Sequence, residues 1–190
     1  MRTFRTVLAA TLLVAGTVTV ARADGLWGHE AQVRIAGGGS RRVQYYGLHG
    51  DIGFTLWSSA DRWLTSHNIT GRWIVEPWVA YVNDEHNPHK SHGVEIGVSP
   101  LFGKLTFGSG RLRPFLEGGE GVLYTDRRKS TLGSGGFFFS SQIGGGVEYE
   151  LRPGLALTFA VRYRHISTAG ITNSNAGLNT PMALIGLTFR

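Results

Sequence analysis

The chain has 190 residues with no cysteine, 28 glycines, 11% aromatic and 17% charged residues, and a formal net charge of +6. A chain without cysteine is not a disulfide-stapled scaffold, and glycine with aromatics at low charge suits a β-barrel. Three of the positive charges, Arg2, Arg5 and Arg22, sit in a terminal leader; without them the excess falls to +3, which gives no case for nucleic acid.

The leader is the first element. Arg2 and Arg5 precede an apolar run from Val7 to Val20, and Ala21-Arg22-Ala23 is a small-x-small cleavage site. We expect a signal peptide over residues 1–23 and one domain over residues 24–190. No later run reaches about 18 apolar residues, so no transmembrane helix is expected.

From there almost every segment alternates with a period of two, the signature of a strand with one apolar face. Ala31, Val33 and Ile35 alternate with Gln32 and Arg34. Tyr46, Leu48, Ile52 and Phe54 alternate with Tyr45, His49 and Asp51, so His49 is expected to face inward. Trp73, Val75, Val79 and Tyr81 face away from Arg72 and Glu76. Val94, Ile96 and Val98 oppose Glu95 and Ser99. Leu116, Val122 and Tyr124 share a side, with Glu120 on their apolar parity: either an interfacial residue or the mark of a bulge. Phe137, Phe139, Ile143, Val147, Tyr149 and Leu151 oppose Ser140, Gln142, Glu148 and Glu150. After Arg152-Pro153-Gly154 comes the run Leu155 to Tyr163, and the chain closes with Ala183, Ile185, Leu187 and Phe189.

These are about eight strands, many near the 9–11 residues that cross a bilayer at a tilt. An even number lets an antiparallel sheet close without edges. The fold class is therefore all-β, an eight-stranded antiparallel transmembrane β-barrel. Its polar row, with Arg72, Glu76, Glu95, Glu148, Arg162 and Arg164, is expected to pair inside. Aromatics at segment ends (Trp57, Trp63, Trp73, Trp78, Tyr81, Phe102, Phe107, Tyr124 and Tyr163) suit interfacial girdles. A soluble lipocalin-like barrel or a β-sandwich would also alternate, and remains the alternative on periodicity alone.

Two loops carry charge or metal-ligand types. His86, His89 and His92 recur beside Asp84 and Glu85, ligand types for zinc or nickel. Pro88 interrupts the segment and no two of its histidines stand at a helical i, i+4 spacing, so we read a polar loop and expect no metal. Arg127-Arg128-Lys129 is either a solvated loop tip or a contact for anionic headgroups.

The segment Arg164-His165-Ile166-Ser167-Thr168-Ala169-Gly170 stands apart. His165 and Ser167 continue the odd, oily row of Leu157, Phe159 and Val161. Serine needs a base within hydrogen-bond reach to act as a nucleophile, and same-face residues two apart have Cα atoms about 7 Å apart, close enough for imidazole and hydroxyl to meet. Thr168, Ala169 and Gly170 can turn backbone N–H groups toward an oxyanion. Facing outward from a barrel, such a pair would act on an ester-linked acyl chain in the membrane. A strand end turning polar is the plain alternative.

The residues Val161-Arg162-Tyr163-Arg164-His165-Ile166-Ser167-Thr168-Ala169-Gly170, followed by Asn175-Ala176-Gly177-Leu178, resemble the lipid A 3-O-deacylase (PagL) family of outer-membrane barrels. Arg113 to Val122 resembles that family's Pro-Phe-x-Glu-x-Gly-x-Gly segment, and Gln142 to Val147 the strand before its catalytic hairpin. The resemblance implies hydrolysis of the hydroxyacyl ester at the 3 position of lipid A in the bacterial outer membrane. Carried over by motif, His165 would be the base and Ser167 the nucleophile, with Thr168 where the family has an oxyanion-hole asparagine. Asn179 falls where the family has a catalytic glutamate. An amide can orient a histidine but brings no charge, which implies weakened activity and keeps open a non-catalytic barrel with a structural or lipid-binding role. Lipopolysaccharide would be the substrate partner; no cofactor and no nucleic acid are implied, and a homodimer is an open assembly state.

Overall fold

The computed structural model describes residues 30–40, 43–84, 92–126, 136–170 and 177–190. Eight strands run in order: β1 (Glu30–Ser40), β2 (Val43–Thr55), β3 (Ile69–Asp84), β4 (His92–Phe107), β5 (Leu112–Thr125), β6 (Gly136–Arg152), β7 (Leu155–Ser167) and β8 (Leu178–Phe189). Each pairs antiparallel with the next, and β8 returns to β1 from Ala31↔Phe189 to Gly38↔Met182, closing the barrel. Closure leaves no row of unpaired backbone groups, the condition for standing in a bilayer. The expected eight-stranded antiparallel barrel is the observed fold.

The alternation read from the sequence maps onto inside and outside. Ile35, Ile96, Leu101, Leu116, Ile143 and Val161 are exposed on the outer face. Inside, Arg34 reaches Asp51 at 2.6 Å, Glu76 at 2.9 Å and Glu117 at 2.8 Å, and Arg162 reaches Glu76 at 2.8 Å and Glu117 at 2.7 Å. Lys104 bridges Glu30, at 2.7 Å, and Glu148, while Arg164 pairs with Glu95. His49 is fully buried, with Nδ1 3.3 Å from Glu76 Oε1, as its inward parity predicts. Desolvating so many charges is repaid only because nearly every one meets an opposite partner. Above them an apolar layer of Val43, Val82, Leu123, Phe138, Ile166 and Leu178 fills the lumen near the β7–β8 end.

Three sequence expectations change. Trp78 and Phe102, taken as girdle aromatics, are 4% and 1% exposed and lie within the barrel. Trp78 shares the inward parity of Glu76 and Ala80 and stacks on His49, ring centroids 6.2 Å apart. Phe102 turns inward because a register shift in β4 between Val98 and Leu101 reverses the parity of everything after it. It lies under the Arg162 guanidinium, 4.7 Å from its ring centroid. Arg72, expected in the inner row, is only half-buried and faces Asp61 at 4.0 Å.

The alternation-based reading also holds no helix, yet α1 (Ser58–Ser66) joins β2 to β3. It packs Leu64 toward Gly71 and leaves Trp57 and Trp63 exposed at the end of the barrel where β1 begins and β8 ends.

Candidate active site

β7 presents Leu157, Phe159, Val161 and Tyr163 outward, while Ala156, Thr158, Ala160, Arg162, Arg164 and Ile166 are buried. Arg162 and Arg164 anchor the strand from within, so its rotation is not free. His165 and Ser167 continue the outward row and are half-buried. They share one face of one strand.

Asn179, on β8, is the direct cross-strand partner of His165. Its Oδ1 lies 2.7 Å from His165 Nδ1. An amide oxygen only accepts, so the contact puts the imidazole proton on Nδ1 and makes Nε2 the accepting nitrogen.

Gly177 completes the seat of the ring. At φ 65° it adopts a left-handed conformation, and a Cβ built on it would stand 2.7 Å from His165 Cε1 and 3.4 Å from Nε2. Only glycine satisfies both demands. Gly177 belongs to the family-like segment Asn175-Ala176-Gly177-Leu178, but its contact with the imidazole depends on the β7–β8 register and is invisible in one dimension.

Ser167 Oγ is engaged within its own turn. Among the described residues no hydrogen bond joins its Oγ to His165; the hydroxyl accepts a long bond from the Ala169 N–H at 3.4 Å. Ala169 and Gly170 follow at φ 51° and 80°. A non-glycine residue in the left-handed region costs about 1–3 kcal/mol, and such strain clusters at functional turns. Thr168 is 5% exposed and continues the buried even row. Its side chain therefore leaves the face that carries His165 and Ser167, and only its backbone remains there.

Two further polar residues join the outer face at the level of His165. Ser141 on β6 is the cross-strand partner of His165, and Glu120 on β5 is the partner of Ser141. Ser141 donates its hydroxyl to Glu120 Oε2 at 2.7 Å. Glu120 thus keeps its outward parity; the bulge that its position suggested lies in the neighbouring strand β4.

Below this level the outer surface is indented by a groove of about 670 Å³, lined by Gly37, Gly38, Gly144, Gly145, Tyr163 and Pro181 among others. Tyr163 and Pro181 are paired one outward step below His165 and Asn179. Glycines on β6 and β1 supply the depth by omitting side chains.

His92 stands at the start of β4 beside Tyr81, their ring centroids 6.1 Å apart. His86 and His89, and the basic run Arg127-Arg128-Lys129, lie outside the described residues.

Comparison with known proteins gives the family and the fold. The family described as Lipid A 3-O-deacylase (PagL) matches residues 44–188. Among solved structures, the crystal structure of the outer membrane enzyme PagL is similar at 19% identity and a TM-score of 0.65, over 82% of this chain and 97% of that one. The N-terminal β-barrel domain of Pseudomonas aeruginosa OprF is similar at 17% identity and a TM-score of 0.45, over 85% and 97%. Neisserial surface protein A (NspA) is similar at 14% identity and a TM-score of 0.48, over 84% and 94%. No curated protein matches. With the family matched across nearly the whole closed barrel, this chain belongs to the lipid A 3-O-deacylase (PagL) family and is a protein of the bacterial outer membrane.

Proposed function

We propose that the protein is an ester hydrolase that removes the hydroxyacyl chain at the 3 position of lipid A by a serine–histidine mechanism. The observation that carries this reading is the Nδ1–Oδ1 contact of His165 with Asn179, at 2.7 Å, on the same outward face as Ser167. Residues 1–23 would be removed on export. The end of the barrel where β1 begins and β8 ends would face the periplasm, which leaves the β7–β8 end at the outer leaflet where lipid A resides.

With the proton fixed on Nδ1, Nε2 is the base. A rotation of the Ser167 hydroxyl away from Ala169 toward the imidazole frees the Ala169 N–H and brings the nucleophile to its base. Oγ attacks the ester carbonyl while its proton passes to Nε2. Backbone N–H groups of Thr168, Ala169 and Gly170 receive the developing oxyanion. Collapse breaks the carbonyl bond to the sugar oxygen, which takes the proton from Nε2 and leaves as an alcohol. Water then attacks the acyl-serine, giving its proton to Nε2, and the carboxylic acid leaves as Ser167 regains its hydrogen. The acyl chain would lie in the glycine-lined groove below the pair, since an apolar chain is held there without leaving the hydrocarbon phase.

Asn179 orients the imidazole without stabilising its charged form, so turnover would be slower than with a carboxylate at that position. The unmade Ser167–His165 bond and this neutral partner favour a second reading, a lipid-binding barrel without efficient chemistry. A serine-directed fluorophosphonate separates the two. The hydrolase forms an adduct on the peptide containing Ser167, and His165→Ala abolishes it; absence of the adduct, or equal labelling without His165, contradicts the mechanism.

A further inference from the structure

The outer face at the level of the catalytic pair carries one continuous polar row. Cross-strand pairing joins Glu120 to Ser141, Ser141 to His165, and His165 to Asn179, across β5 to β8. The row is bounded by apolar surface on both sides. Val122 and Phe139 are exposed on its loop side, and Leu116 and Ile143 on the other. Leu101, exposed on β4, is the next residue beyond Glu120.

A carboxylate on a lipid-facing row is unfavourable unless something polar meets it. Ser141 satisfies part of one oxygen, at 2.7 Å, and among the described residues no cation pairs with Glu120. The carboxylate therefore keeps acceptor capacity directed at whatever occupies the outer face. It stands two inter-strand spacings from His165, about 10 Å, the reach of a sugar head lying across β6 when its ester is at Ser167.

We propose that Glu120 and Ser141 form a polar subsite for the saccharide head of the lipid substrate. Glu120 accepts hydrogen bonds from a hydroxyl or amide N–H of the head, and Ser141 holds the carboxylate in place. A carboxylate repels phosphate, so the phosphates of a bound lipid point away from β5. The subsite selects lipids whose head offers neutral donors near the ester over lipids that offer only acyl chains and phosphate. This inference rests on the catalytic reading for the position of the ester, and its test does not require turnover.

The test measures binding of lipid A and of a phosphatidic acid to the detergent-solubilised full chain carrying Ser167→Ala, with and without Glu120→Leu. Leucine suits a lipid-facing position, and an unchanged heat-dependent gel shift reports that the barrel is intact. The preference for lipid A over the phospholipid is expected to fall about tenfold or more, the scale of a hydrogen bond to a charged group. Glu120→Gln, which keeps an acceptor, is expected to retain part of it. An unchanged preference overturns the subsite, as does a slower turnover in the Ser167-containing background with affinity unaltered. Failure of the unsubstituted protein to deacylate lipid A would instead count against the catalytic reading alone.

Discussion

At His165 the partner of the imidazole is a neutral amide where a carboxylate would also fit. Asn179 fixes the tautomer through its 2.7 Å contact, so Nε2 is the accepting nitrogen, but an imidazolium formed there meets no opposite charge. Asn179→Glu is expected to raise turnover about tenfold, the difference between a neutral and a charge-assisted hydrogen bond, and Asn179→Ala to lower it, in a hydroxy-fatty-acid release assay. Equal rates for all three would remove Asn179 from the mechanism. Gly177 gives a sterner check. A methyl group there would meet Cε1 at 2.7 Å, and the φ of 65° is strained for alanine. Displacing the imidazole by even about 1 Å costs on the order of a hundredfold in rate, so Gly177→Ala should fall by that much while the barrel still folds.

The strands show where one dimension suffices. In β7 the odd residues face out and the even residues face in without interruption, so the shared face of His165 and Ser167 was legible from spacing. Val161→Arg should therefore cost about 2–4 kcal/mol in urea unfolding from lipid vesicles, while Val161→Leu should be nearly neutral. An arginine tolerated at that position would mean that β7 is turned the other way. Parity fails where the register shifts. Phe102 moved inside because β4 slips between Val98 and Leu101, and Trp78 did so because its own parity outweighed its place near a segment end. The contacts of His165 with Asn179 and Gly177, and its row with Ser141 and Glu120, all depend on which residues pair across strands. Periodicity within one strand carries no such information. The helix α1 escaped for another reason: it is nine residues long, and a short polar connection has too few turns to show a helical stripe.

For the molecule as a whole, the barrel separates its tasks by face. The interior holds charge against charge and closes the β7–β8 end with apolar side chains; the exterior holds the proposed site. Arg162 belongs to the first task. It joins Glu76 and Glu117 from the strand that carries His165 and Ser167, packed over Phe102. Arg162→Met should destabilise the barrel by about 3–5 kcal/mol by leaving buried carboxylates short of a partner, visible as a lower urea midpoint. Arg190 pairs with Glu30 and Glu148 at the rim, where it is partly solvated, and its removal should cost less. An unchanged midpoint for Arg162→Met would show that the remaining cations can rearrange to serve both carboxylates.

The claim that this outward face removes the 3-position chain of lipid A is tested most directly by mass spectrometry of lipid A from a lipopolysaccharide-bearing host that expresses the protein. The protein should yield lipid A lighter by one hydroxyacyl chain, missing from the 3 position, and Ser167→Ala should yield the parent mass. Unchanged lipid A with the intact protein, or the same loss with Ser167→Ala, would contradict it.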